Sequence, residues 1–483
     1  MSVSMSPPAG SNELRRGALS VGFIIFFVVS AASPLSVLAG GFPIGIMLGS
    51  GAGTPALLVL ALLVLLSFAV GYTTMARHVT NAGGFYAFSS RGLGGLAGGA
   101  AGVLAMFAYN ILQVGLYGMF GGVVAGTMSS VFAIDLPWWA YSLLAMASVA
   151  ILGYRNIDLS ARVLSLIVIA EYLAILVLDI AILRSGGDSG VNFDSFKAEH
   201  VFSGNPSIGL LFCFAAFIGF EATTIYGEEA KNPQRAIPIA TYVSVLLIGC
   251  FYALSIWSMV IGVGTDKIVP TLQALTDPTT FIYGLSDHYV GPQLTQVIRV
   301  LFVVSIYAGL LAFHNSAARY FYAIGRDGML PKSLGLTHRI HQSPHMGSAL
   351  QSLIAAVVVL IFAVMEADPI LQLFAWFSSL ATLCLLLLMA LTSAAVLMYF
   401  KRNPQLQLGV LRRLILPAFS CVALSIVLVI AVIHFDVLTG SSKAISYALC
   451  AVIPAALIGG VLLAMRLRRK SPECFAKLGS HKL

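Results

Sequence analysis

Apolar residues gather along this chain in runs of about 20, each long enough to cross roughly 30 Å of hydrocarbon as a helix. Twelve runs are legible: Leu19–Leu38, Pro55–Met75, Gly95–Met128, Trp138–Gly153, Val163–Leu183, Ile208–Tyr226, Ile237–Val263, Gln296–Ala323, Ala349–Met365, Ile370–Phe400, Leu414–Phe435 and Ile445–Met465. Polar residues crowd into the short segments between them. The pattern predicts an all-α membrane protein of twelve transmembrane helices, because only helices satisfy every backbone group within one lipid-exposed segment.

Composition agrees. The 483 residues are 59% hydrophobic and only 10% charged, against about 25% charged in soluble domains. Charge then sets orientation. With the N-terminus in the cytoplasm, only Arg184, Lys197, Lys267, Arg299 and Lys443 fall outside, leaving 22 of the 27 Lys and Arg on cytoplasmic segments. Basic residues accumulate on that side of inserted helices, so a multi-pass protein of the plasma (inner) membrane with both termini cytoplasmic is expected. The net charge of +8 reports topology and implies no nucleic acid partner. The first run is longer than a signal peptide and lacks a clear cleavage site, so it is read as a retained span. Five of the six cysteines lie in apolar runs and Cys474 in the basic tail, which predicts no disulfide framework. The expected units are a disordered tail over 1–18, helices 1–5 over 19–184, an external loop over 185–207, helices 6–10 over 208–400, helices 11–12 over 401–466, and a basic cytoplasmic tail over 467–483 that rests on anionic lipid.

Two runs are interrupted. The first contains Ser30-Ala31-Ala32-Ser33-Pro34-Leu35 and, further on, Gly40, Gly41 and Pro43. Proline removes an amide donor and clashes with the carbonyl four residues back. The sixth contains Gly219, Glu221, Thr223 and Thr224. Helices 1 and 6 occupy corresponding places if helices 1–5 and 6–10 form two inverted repeats, and paired discontinuous helices mark a central binding site. A half-helix N-terminus offers amides that suit a carboxylate, while carbonyls freed by unwinding suit an ammonium. An α-amino acid carries both groups.

Three motifs then resemble the amino acid–polyamine–organocation (APC) superfamily, in its amino acid permease branch. Phe214-Ala215-Ala216-Phe217-Ile218-Gly219-Phe220-Glu221, continuing into Glu228-Glu229-Ala230-Lys231-Asn232-Pro233, is similar to the family's sixth-helix signature. Ala82-Gly83-Gly84-Phe85-Tyr86-Ala87-Phe88 resembles its segment between helices 2 and 3. Gly325-Arg326-Asp327-Gly328-Met329-Leu330-Pro331 resembles its loop after helix 8. The resemblance implies a LeuT-type 5+5 inverted repeat with two peripheral C-terminal helices. It also implies substrate contacts at Ser30, Ala31, Ala32, Ser33 and Leu35 of the first helix, and at Ala215, Ala216 and Ile218 of the sixth; Glu221 beside them is a further candidate for the substrate site, expected to shape the unwound helix or link it to a neighbour rather than to act as a general base. Pro34 departs from the family's glycine-rich turn and removes one N–H that a carboxylate could use. Where many members carry a lysine in helix 5, this chain has Glu171, which makes it the proton-coupling candidate. A carboxyl inside a helix bundle is a default functional site.

Other polar residues in the runs have plainer readings. Asn110 and Gln113 are three apart on the third helix and could face the same site. Asp179 and Arg184 are expected to reach the outer interface, and His314 and Arg319 to be solvated at the inner end of helix 8. Trp376, Ser378, Ser379 and Thr382 are expected to form the outer wall or gate. No metallohydrolase, hydrolase-elbow or nucleotide-binding motif is present, so neither catalytic residues nor a metal or cofactor are expected. The expected function is a secondary transporter that imports an amino acid by alternating access with protons, its partners being the small-molecule substrate, protons and membrane lipids. A polyamine or organic-amine carrier, an amino acid exchanger and a membrane nutrient sensor are the alternatives.

Overall fold

The computed structural model describes residues 17, 19–155, 157–188, 190–338, 340–406, 408–440 and 443–479, with the side chains of 155–164 excepted. The tail expected over 1–18 lies, apart from Gly17, outside the described residues, as do Arg15 and Arg16. Eleven helices are long and apolar enough to cross a membrane, and one shorter apolar helix lies among them. In chain order they are α1 (Val21–Leu48), α2 (Gly51–Ala76) and α3 (Gly95–Phe132); α4 (Trp138–Arg155) and α5 (Ile157–Ser185); then α6 (Pro206–Thr224), α7 (Pro233–Val263), α8 (Pro292–Arg326), α9 (His345–Val364), α10 (Pro369–Arg402), α11 (Leu411–Ile433) and α12 (Lys443–Lys470). Among the described residues the nearest thing to a strand is one isolated bridge, Leu19 to Ala230.

Local chemistry explains where helices start. Proline opens α6, α7, α8 and α10, where its missing N–H would have had no helical partner. Asn205 and Asp368 cap two of these starts with side-chain oxygens that accept from Ile208 N–H and Ile370 N–H. Burial separates the central helices from the outer ones. The apolar window of α6 is 89% buried and that of α10 78%, against 22% for α11 and 17% for α12. Leu63, Leu144, Leu166, Leu353 and Val364 leave an apolar outer surface exposed, as a lipid-facing bundle requires. The glycine-rich entry to α3 serves close packing: a Cβ on Gly99 would meet Ala464 and the Gly460 backbone of α12.

Three placements differ from expectation because tertiary partners, not span depth, decide them. Asp179 does not reach the interface; it is buried and accepts a hydrogen bond from Ser255 at 2.7 Å. His314 and Arg319 are not solvated. His314 is fully buried between Ser348 Oγ (2.6 Å) and the Gln113 amide (3.3 Å), and Arg319 is ion-paired inside the bundle. The chain end is also packed over its described part. α12 runs to Lys470, Pro472–Ala476 forms a further short helix, and Gly479 N–H donates to the Asp327 carboxylate at 3.1 Å.

Candidate substrate site

The first half of α1, Val21–Ala32, starts on Ser20, whose hydroxyl accepts from Phe23 N–H. It stops at Ser33, which adopts left-handed geometry (φ 42°, ψ 76°) and turns its N–H back to Val29 and Ser30. Pro34 cannot extend the first half but suits the first position of a second helix, since its φ is already helical. The departure at Pro34 is therefore a helix start. The second half runs on through a wider turn at Ser36–Gly41 into Phe42–Leu48.

α6 breaks alongside it. Its α-helix ends at Ala215, and Phe220–Thr224 continues as a tighter 3₁₀ coil. Gly219 sits at φ 116°, a conformation that favours glycine. Its N–H is diverted from the helix to Glu221 Oε2 at 2.9 Å, and Tyr109 donates to Glu221 Oε1 at 2.6 Å. Phe220 N–H bonds Phe217, so the Ala216 carbonyl loses its usual helical donor. The two breaks touch: a Cβ on Gly219 would stand 2.8 Å from that of Ala31.

A cavity opens where the breaks meet. Ala31, Ala32 and Ser33 line it from α1, and Ala215, Ala216 and Ile218 from α6. Its walls are Val37, Phe42, Leu112, Leu116, Phe212, Phe313 and Phe374, with hydroxyls only at Ser33, Ser36, Ser378 and Thr382. No ionisable side chain lines it among the described residues.

The other predicted site residues stand around this cavity without lining it. Ser30 donates to Phe26 O at 2.7 Å within its own helix. Leu35 turns its N–H to Glu171. Glu221 is engaged at the α6 break. Asn110 donates to Met106 O at 2.7 Å in its own helix, while Gln113 faces Tyr117, Leu310 and His314. Ser378 and Thr382 of the expected outer wall do line the cavity; Ser379 and Trp376 do not. The apolar wall had no sequence signal of its own, because a leucine facing a cavity and one facing lipid look alike in an apolar run.

Below the breaks, on the face where α1 begins, ion pairs close the bundle. Arg319 grips Glu229 through Nε (2.8 Å) and its second terminal nitrogen (3.2 Å), bonds Asn315 O at 3.0 Å, and lies 4.8 Å over the Tyr226 ring. The three sequence motifs meet here. Glu228 pairs with Arg326 at 2.8 Å and accepts Ala82 N–H at 2.9 Å, and Tyr86 donates to Asp327 at 2.5 Å.

A bundle broken at two touching helices around an apolar cavity defines a membrane permease of the broken-helix kind. Residues 20–474 match the amino acid permease family, and the chain belongs to it. The chain is 25% identical over 372 residues to the low-affinity putrescine importer PlaP of Escherichia coli K12, covering 74% of this chain and 78% of that one. It is 25% identical over 344 residues to the branched-chain amino acid permease BcaP of Bacillus subtilis, covering 66% and 71%. A second BcaP, from Lactococcus lactis, is 27% identical over 203 residues, covering 40% and 41%. The protein is an integral, multi-pass membrane permease.

Proposed function

We propose that this permease is a proton-driven importer of an amino acid with an apolar side chain, working by alternating access across the plasma (inner) membrane. The carrying observation is the cavity at the two touching breaks, with backbone at one end and apolar walls elsewhere. In this reading α1–α5 and α6–α10 are the inverted repeats, α11 and α12 are peripheral, and both termini are cytoplasmic. The substrate ammonium rests on carbonyls at the end of the first half of α1 and at Ala216. Its carboxylate faces the first turn of the second half of α1, whose amides carry partial positive charge. A branched or aromatic side chain buried against Leu112, Leu116, Phe212 and Phe313 contributes about 1.5–3 kcal/mol of binding. The relatives that carry branched-chain amino acids support the same substrate class.

Uptake into proteoliposomes tests the reading. Labelled L-leucine is expected to accumulate against its gradient when the lumen is alkaline relative to the bath, with no sodium requirement. Binding without accumulation would instead establish a sensor. One observation favours a second reading, a carrier of amines without a carboxylate: Glu171 already holds the Leu35 amide and, through Ser305, the Ser36 amide, and one relative imports putrescine. Accumulation of isoamylamine or putrescine with no uptake of leucine would establish it.

A further inference from the structure

The first turn of the second half of α1 has two free backbone donors, and the protein itself occupies both. Pro34 has no N–H. Leu35 N–H donates to Glu171 Oε2 at 3.2 Å. Ser36 N–H donates to Ser305 Oγ at 3.3 Å, and that hydroxyl donates to the same Glu171 oxygen at 2.7 Å. Val37 N–H is already closed on Ser33 O at 3.1 Å. Glu171 is fully buried and its second oxygen has no partner among the described residues. The Ser36 hydroxyl, on the cavity wall, is also buried without a partner among the described residues. A half-helix start attracts an anion, and here α5 supplies one.

The geometry points to Glu171 as the resident anion of the seat that a substrate carboxylate takes, yielding that seat when it takes up a proton. The inference rests on the amino acid reading above and adds the rule by which the site selects and couples. Two carboxylates sharing one small buried seat cannot both stay ionised. Ionised Glu171 therefore excludes the substrate carboxylate, and protonated Glu171 releases the Leu35 and Ser305 donors to it. One proton then enters with each amino acid. The groups facing Glu171 are few. Tyr172 on its own helix and Tyr252 on α7 feel its charge. From α8 comes Ser305, and from α1 only backbone. Asp179 lies about two turns along α5 and is bonded to Ser255. His314 of α8 is bonded to Ser348 and Gln113, and Asp287 on the adjacent helix Phe281–Tyr289 to Thr295. No ion pair holds Glu171 among the described residues, which leaves its charge free to change with the occupant.

Thermal-shift titrations of purified protein over a series of pH values test this, with L-leucine and its decarboxylated counterpart isoamylamine as probes. In the parent, leucine affinity is expected to fall about tenfold per pH unit once Glu171 ionises, as linkage to one proton requires. Isoamylamine is expected to show no such fall. Glu171→Gln is expected to bind leucine with a flat pH profile and at least tenfold more tightly at alkaline pH. Ser305→Ala, which leaves Glu171 in place but removes a donor to its ionised form, is expected to keep the slope and to start it at a higher pH than in the parent. The inference is overturned if Glu171→Gln keeps the parental slope, or if isoamylamine follows the leucine slope in the parent. Should Glu171→Gln not fold, a slope that starts at the parental pH in Ser305→Ala overturns it equally. Failure of both probes to bind the parent at any pH would overturn the amino acid reading and this inference together.

Discussion

Glu221 is the residue for which sequence offers two readings, a substrate contact and a brace for the helix break. A carboxylate in the middle of an apolar helix suits either, and here it accepts from Gly219 N–H at the break and from the Tyr109 hydroxyl. Glu221→Gln keeps the shape but turns one acceptor into a donor facing one of these groups. It is expected to cost about 1–3 kcal/mol of stability, to lower uptake modestly and to leave substrate preference unchanged, read from thermal unfolding and competition uptake. A changed preference between neutral and cationic ligands would place Glu221 against the substrate instead. Gly219 answers to a different constraint. Gly219→Ala puts a Cβ at φ 116° and against Ala31, a strain of about 1–3 kcal/mol. Transport should drop severely even where folded protein is recovered; near-parental uptake by this variant would show that the two breaks do not need their close contact.

At the scale of elements, the tip of α8 and the segment after α6 are locked by a charge pair that water does not reach. Arg319 and Glu229 are 1% and 6% exposed, so removing one partner strands a buried charge and is expected to cost about 3–5 kcal/mol. Glu229→Leu or Arg319→Met alone should therefore unfold at markedly lower temperature than the parent. The double variant should recover much of that loss, because no uncompensated charge remains. Additive losses in the double variant would mean that the pair acts through some other contact, such as the stacking of Arg319 on Tyr226. The same elements carry the three motifs of the sequence. They meet through Glu228, Arg326, Ala82, Tyr86 and Asp327, so the motifs mark the closure of one face, and only Ala215, Ala216 and Ile218 of the sixth-helix motif reach the cavity.

The whole molecule is asymmetric about its cavity. On the side where α1 begins, ion pairs and the packed chain end close the bundle. The walls Phe42, Phe212 and Phe374 lie on the other side of the breaks. With the proposed orientation the closed face is cytoplasmic. Phe202, 75% exposed in the segment before α6, and the exposed Cys474 after α12 then belong to opposite sides of the membrane. An impermeant thiol reagent should label Phe202→Cys in intact cells and Cys474 only after permeabilisation. The reverse pattern would invert the topology and, with it, the direction of import.

The apolar runs alone determined the class, because a chain with so little charge has no other way to satisfy about 20 consecutive apolar residues than a membrane-crossing helix. The helix breaks were also legible, since proline and glycine act locally: Pro34 interrupts the helix before it and suits the first turn of the next, and Gly219 marks a conformation that side chains resist. Ala31, Ala32, Ser33, Ala215, Ala216 and Ile218 line the cavity for that reason. What the sequence could not specify was the partner of each polar side chain. Asn110 spends its amide on its own helix, Asp179 finds Ser255, and Arg319 finds Glu229 across 90 residues of sequence. Only the packing of α5 against α1 and α8 set Glu171 on the Leu35 amide. Hydrogen bonds and ion pairs between helices depend on the rotation and depth of each helix, and a uniformly apolar run records neither.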